Sequence, residues 1–235
     1  MNNWEELLNR SYSEYSRNLS ACVVRGESGL LYPGVRIENA SFPLTISASQ
    51  SAMFSCLSED DTPVEILVPP NFRDDRINYL STYYKISVQT VDSIPNSKWF
   101  DPTVKEIIPG FESLKELQKK AIANESHFLV SCILESDNNV MISGVNIEFP
   151  DWQIGLCAER VALAKAISLG YSEIHSLHVG ASAGEFISPC GACRQVLVEH
   201  LPYKIINLYH PDGTKTATTA AQLLPAFFNG SSLRI

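Results

Sequence analysis

Two apolar runs of helical character stand out in the second half of the chain. Val161 to Leu169 is built of good helix formers, with Gly170 as a natural stop. Arg194 to Leu201 is a second such run, ended by Pro202. Around them, short apolar runs bounded by turn residues predict strands. Phe128 to Leu134 and Val140 to Ile147 flank Asp137-Asn138-Asn139 and should pair as a hairpin, with Ile174 to Val179 and Lys204 to Tyr209 as further strands. A polar helix carrying Leu114 and Leu117 precedes the series.

The pattern occurs twice. A shift of 110 positions lays residues 4 to 53 on residues 114 to 163 without a gap. Glu6-Leu7 falls on Glu116-Leu117, Cys22 on Cys132, and Gly34-Val35-Arg36-Ile37-Glu38 on Gly144-Val145-Asn146-Ile147-Glu148. Trp4, Leu7 and Leu8 then mark a first helix, and Leu19 to Val24 with Leu30 to Ile37 a first hairpin. Helices alternate with strands after each hairpin, so each copy is expected to be an α/β/α three-layer domain on a mixed sheet. The reading divides the chain into residues 1–112 and 113–235, joined by a short linker around Gly110 to Ser113.

The chemistry sits where the two apolar helices begin. Cys157-Ala158-Glu159-Arg160 opens the first, and Pro189-Cys190-Gly191-Ala192-Cys193-Arg194 opens the second. Helix starts present free N–H groups and the positive dipole end, which favour thiolate over thiol. Cys190 and Cys193 lie one turn apart; with Cys157 they supply three ligands for a tetrahedral Zn²⁺ with one position open, the pattern of a catalytic site. Glu159 is close to the metal without being needed as a ligand, so it is the candidate general acid and base. In the first copy Ser47-Ala48-Ser49 stands in the place of Cys157-Ala158-Glu159, and Pro69-Pro70-Asn71-Phe72-Arg73 in the place of the second motif. That copy is read as metal-free. Cys22, Cys56 and Cys132 lie in apolar stretches and are expected in the core.

Composition narrows the partners. Net charge is −8 and the longest basic cluster is Lys119-Lys120, which disfavours nucleic acid. No stretch approaches the roughly 20 apolar residues of a membrane span. The first residues lack the basic and apolar segments of a secretory leader, so the cytoplasm is the expected location, where thiols stay free for metal. A neutral small molecule fits as substrate.

With these motifs the sequence resembles the cytidine deaminase family, across both halves. The resemblance implies that Asn146 and Glu148, in Asn-Ile-Glu, bind the ribose 3′-hydroxyl, that Phe128 packs on the pyrimidine, and that Ala158 belongs to the substrate site. It implies that Arg160 hydrogen-bonds the thiolates, with Arg194 in the same role. The family's loop Glu-Asn-Ala-Ser-Tyr is absent from the thiol-bearing copy, which has Glu148-Phe149-Pro150-Asp151-Trp152, and is kept in the other as Glu38-Asn39-Ala40-Ser41-Phe42. Ala40 (by its backbone) and Phe42 are therefore expected to reach a zinc site, and Phe227, with Phe228 as rival, to cross to a neighbouring one. The implied assembly is a homodimer of four domains with two working sites. The implied activity is hydrolytic deamination of cytidine or 2′-deoxycytidine in pyrimidine salvage. A deaminase of the blasticidin S type and a silent zinc-binding protein are the alternatives.

Overall fold

The computed structural model describes residues 3–104, 106–136 and 139–233; the expected turn residues Asp137 and Asn138 lie outside them. The first half opens with α1 (Trp4–Leu8), whose N-cap Asn3 accepts a bond from Glu6 N at 2.7 Å. β1 (Ala21–Gly26) and β2 (Leu31–Val35) form the expected hairpin. Next come α2 (Ala48–Leu57), β3 (Pro63–Val68), α3 (Ile77–Tyr84) and β4 (Ser87–Thr90). β1 is antiparallel to both β2 and β3, while β3 and β4 are parallel, giving a mixed sheet in the order β2-β1-β3-β4.

The second half repeats this plan with α4 (Phe111–Gln118), β5 (Val130–Ser136), β6 (Met141–Val145), α5 (Ala158–Leu169), β7 (Ile174–Ala181), α6 (Gly191–His200) and β8 (Ile205–Tyr209). Then β9 (Lys215–Thr219) and α7 (Ala220–Leu223) follow. The sheet order is β6-β5-β7-β8-β9, with only β7 and β8 parallel. α4 packs Leu114 over Gly180 on one face, and α5 lies on the other. Two tandem α/β/α units on mixed sheets result, as the alternation of periods predicts.

The repeat holds at the level of single backbone angles. Arg17 and His127, 110 positions apart, both adopt φ +55° before the first strand of their unit. Ile37 bridges to Tyr12 and Ile46 just as Ile147 bridges to Ile122 and Leu156. Gly34 and Gly144 are glycine for one reason: a Cβ at Gly144 would lie 2.6 Å from Ala158 O, and one at Gly34 would collide with Ala48 O. Each glycine lets its helix lie flat on the sheet.

Two departures have local causes. α3 begins at Ile77, well after Pro69-Pro70, because prolines and the left-handed Asn71 (φ +62°) hold the chain out of a helix; α6 begins directly after Cys190. β9 lengthens the second sheet, and its Lys-Thr-Ala-Thr-Thr lacks the apolar alternation that would announce a strand.

The halves pack through their central helices. All ten residues of α2 are buried, as are nine of the twelve in α5, since each lies between its own sheet and the other helix. Ser51 Oγ lies 2.9 Å from Ser168 Oγ across this seam, and one apolar cluster joins Val24, Phe54, Val145 and Val161 from both halves.

Candidate active site

Both thiol motifs fall at helix starts. Cys157 is the extended N-cap residue of α5 (φ −70°, ψ 159°), and Cys190 that of α6 (φ −65°, ψ 167°). Cys193 is buried in the first turn of α6. The Sγ atoms of Cys157 and Cys190 are 3.6 Å apart, and all three sulfurs lie within 4.8 Å of one another. Zn–S bonds of about 2.3 Å at tetrahedral angles place sulfurs roughly 3.8 Å apart, so this donor set fits zinc. Among the described residues it is the only cluster of three or more potential ligands.

The electrostatics of the three thiols suit a cation-binding site. Hydrogen bonds from Cys157 and Cys193 draw the Cys190 thiol far down, to about 2, while the contacts among the three sulfurs push Cys157 up to about 11 and raise Cys193 as well. Three sulfurs this close do not all ionise unless positive charge joins them. Arg160 supplies part of it, with Nη2 at 3.7 Å from Cys157 Sγ. Burial alone would lower its pKa, but Cys193 and Cys157 raise it above the ordinary value. Arg194 is directed elsewhere. Its guanidinium donates to Pro189 O at 2.8 Å, Ser188 Oγ at 2.8 Å and Leu223 O at 3.3 Å. In place of the expected thiolate contact, it braces the turn that delivers Cys190.

Glu159, in the first turn of α5, is 3% exposed. Burial raises its carboxyl pKa, against the pull of its own backbone N–H and the Cys193 thiol. A carboxyl group thus sits beside the three sulfurs, at the floor of a cavity of about 390 Å³.

Phe128, Asn146 and Glu148 line the same cavity with Cys157, Glu159 and Cys190. Asn146 Oδ1 accepts from Val130 N at 2.8 Å and Nδ2 donates to Phe128 O at 2.9 Å, tying the hairpin strands together. Glu148 Oε2 accepts from Glu125 N at 2.8 Å and Ser126 N at 3.2 Å. Burial opposes ionisation, but these bonds and the Ser126 side chain keep the carboxyl below its ordinary pKa, so it is a carboxylate at neutral pH. Glu38 makes the same two contacts, to Tyr15 N and Ser16 N, in the half without thiols. Holding the turn is therefore a duty of this carboxylate independent of any metal.

Four of the seven expected substrate-binding residues lie outside the cavity. Ala158 is fully buried at the start of α5. Ala40 N–H donates to Glu199 Oε2 at 2.7 Å, on α6 of the other half. Phe42 is 83% exposed, and Phe227 lines a separate 230 Å³ cavity with Phe228. Conversely, Trp152 and Phe186, both largely exposed, line the main cavity without having been singled out. Trp152 is the repeat counterpart of Phe42, which was the available signal.

The sequence matches the family described as "Cytidine and deoxycytidylate deaminase zinc-binding region" over residues 110–208, and again over residues 5–68. It is 31% identical over 130 residues to a probable cytidine deaminase of Dictyostelium discoideum, covering 55% of this chain and 88% of that protein. To the cytidine deaminase of Sporosarcina psychrophila it is 36% identical over 123 residues, 51% of this chain and 88% of the relative. Among solved structures, the cytidine deaminase of Burkholderia pseudomallei is similar at 35% identity with a TM-score of 0.48, covering 50% of this chain and 94% of that one.

Proposed function

The chain belongs to the cytidine deaminase family, and from that premise we propose that it hydrolyses cytidine and 2′-deoxycytidine to the uridine forms and ammonia. The observation that carries the proposal is Glu159, a buried carboxyl group beside the Cys157–Cys190–Cys193 cluster at the bottom of a nucleoside-sized cavity. Those three cysteines hold the zinc, which when bound supplies the Lewis acidity that brings a water pKa to roughly 7. Glu159 takes a proton from the attacking water and hands it to ring N3, then moves a second proton to the departing C4 amine. Burial raises its carboxyl pKa, the direction that helps a carboxyl group hold and pass on a proton.

Glu148 Oε1 and the remaining hydrogen of Asn146 Nδ2 are offered to the ribose 3′-hydroxyl, since Glu148 Oε2 and the other Asn146 contacts hold the protein itself. Phe128 stacks on the pyrimidine, and the backbone of Ala158, a buried residue at the start of α5 beside the cavity-lining Cys157 and Glu159, is the part assigned to the base. Arg160 lowers the charge of three thiolates on zinc.

Chemically the best place for these thiols is the reducing cytoplasm, where all six cysteines stay free, as they are here. The substrate reading places the enzyme in pyrimidine salvage. We assign the division between copies to Gly110, the N-cap of α4, since residues 111–113, expected from the sequence to belong to a linker, are already helical. The exposed Phe42 supports a homodimer in which the first half's loop, with Phe42 and the Ala40 carbonyl, reaches the zinc site of a second copy. Phe227 or Phe228 would complete it. No helix among the described residues is long and apolar enough to cross a membrane.

Loss of cytidine ultraviolet absorbance tests the reaction. The zinc-loaded parent should turn over, and Glu159→Gln should lose at least a hundredfold in kcat with zinc retained. No turnover of either nucleoside by a parent carrying one zinc per chain would sink the reading.

A further inference from the structure

We infer that Gln50, in the half without thiols, is a positioning residue for the metal site of the other half. It is the repeat counterpart of Arg160, the arginine beside Cys157. Where no thiolates need support, that position has been given a different contact. Gln50 is wholly buried, and its Nε2 crosses the seam to donate to Ile154 O at 2.6 Å. Its Oε1 accepts from Ser47 N at 3.0 Å and from the Arg76 guanidinium, so the amide cannot flip or swing away.

Ile154 lies in the loop that delivers Cys157 to the start of α5. The loop is held at one side by the Ile147–Leu156 bridge, with bonds of 2.9 and 3.0 Å. Between that bridge and Ile154 stands Gly155, which lacks a Cβ and turns freely if its flank is released. Gln50 closes this hinge from the other half of the molecule. The same loop carries Trp152, Gly155 and Leu156 into the cavity wall. One amide therefore governs both the entry of Cys157 and the shape of the wall. A copy that has lost its own metal is retained, on this account, because it holds the partner copy's ligand in place.

The inference rests on Cys157 being a zinc ligand, so zinc content of the parent is measured first. A parent with no zinc would defeat the site itself. In the zinc-loaded full chain, zinc affinity is then read by competition with a chromogenic chelator. Gln50→Glu keeps the shape and both acceptor contacts but replaces the donor facing Ile154 O by an oxygen. Gln50→Met removes all three contacts without adding charge and carries the test if the charged variant does not fold. Arg10→Met is the comparison: Arg10 Nη1 crosses the same seam to Ser168 O at 2.9 Å, at the far end of α5. Zinc affinity should fall about tenfold or more in both Gln50 variants, the size expected for a contact one step behind a ligand, and stay at the parent value in Arg10→Met. Parent affinity in Gln50→Glu, or an equal loss in Arg10→Met, would overturn the proposal; the second outcome would reduce Gln50 to one more contact holding the halves together.

Discussion

Asn146 shows how a binding residue can also be a strut. Its side chain closes the open end of the β5–β6 hairpin by bonding Val130 N and Phe128 O, and it is 8% exposed. Asn146→Ala leaves one backbone donor and one acceptor without their partner. The expected cost is about 2 kcal/mol, a fall in melting temperature of roughly 4–8 °C for a chain of this size, measured with no nucleoside present. An unchanged melting temperature with a raised KM would mean that the residue serves substrate alone. The residue scale is also where sequence was most informative. Cys157, Glu159, Cys190 and Cys193 were legible because a metal site needs particular atoms at particular helix starts. Trp152 and Phe186 were not, because an aromatic residue in an irregular loop carries no period and its wall of the cavity is assembled from distant segments.

At the scale of elements, the buried helices announced themselves and the exposed strands did not. α5 was readable from Val161 to its Gly170 stop, which adopts φ +92° as a left-handed cap must. β4 and β9 are solvent-facing strands of mostly polar residues, held by ladder bonds that leave no mark on composition. α6 illustrates a further property hidden from sequence. Its last residue, His200, packs edge-on against Tyr12 of the first half at 4.6 Å, and Nε2 is buried without a partner among the described residues. Burial lowers its pKa from 6.5 to about 4, despite the nearby Glu199 carboxylate. The unfolded chain therefore binds this proton first, and stability contributed by the neutral ring is present above pH 6.5 and lost as pH falls toward 4. At pH 5 the loss is about 2 kcal/mol. Thermal melts at pH 7.5 and pH 5 should show a smaller decrement for His200→Phe, which keeps the aromatic contact and cannot titrate. Equal decrements in parent and variant would assign the acid sensitivity to other groups.

The whole molecule is held by polar contacts that only the duplicated architecture creates. Lys165, on the zinc-site helix, has no exposed surface and pairs with Glu59 of the first half at 2.6 Å. Glu59 also meets Lys120 at 3.5 Å and accepts from Ser143 Oγ at 3.2 Å, and Lys165 Nζ lies 5.3 Å from the centre of the Phe100 ring. In the repeat, Lys165 corresponds to Ser55, so this ion pair has no twin. A buried pair contributes little beyond apolar packing of the same volume, but breaking one side strands the other charge. Lys165→Met should therefore destabilise by about 3 kcal/mol, at the low end for such a site because Lys120 still faces Glu59. Adding Glu59→Leu should restore part of the loss, and the double-mutant cycle measures the coupling. If the double variant is no more stable than Lys165→Met, the pair adds stability rather than specifying how the halves meet, and the orientation of the zinc helix must depend on the apolar seam between α2 and α5.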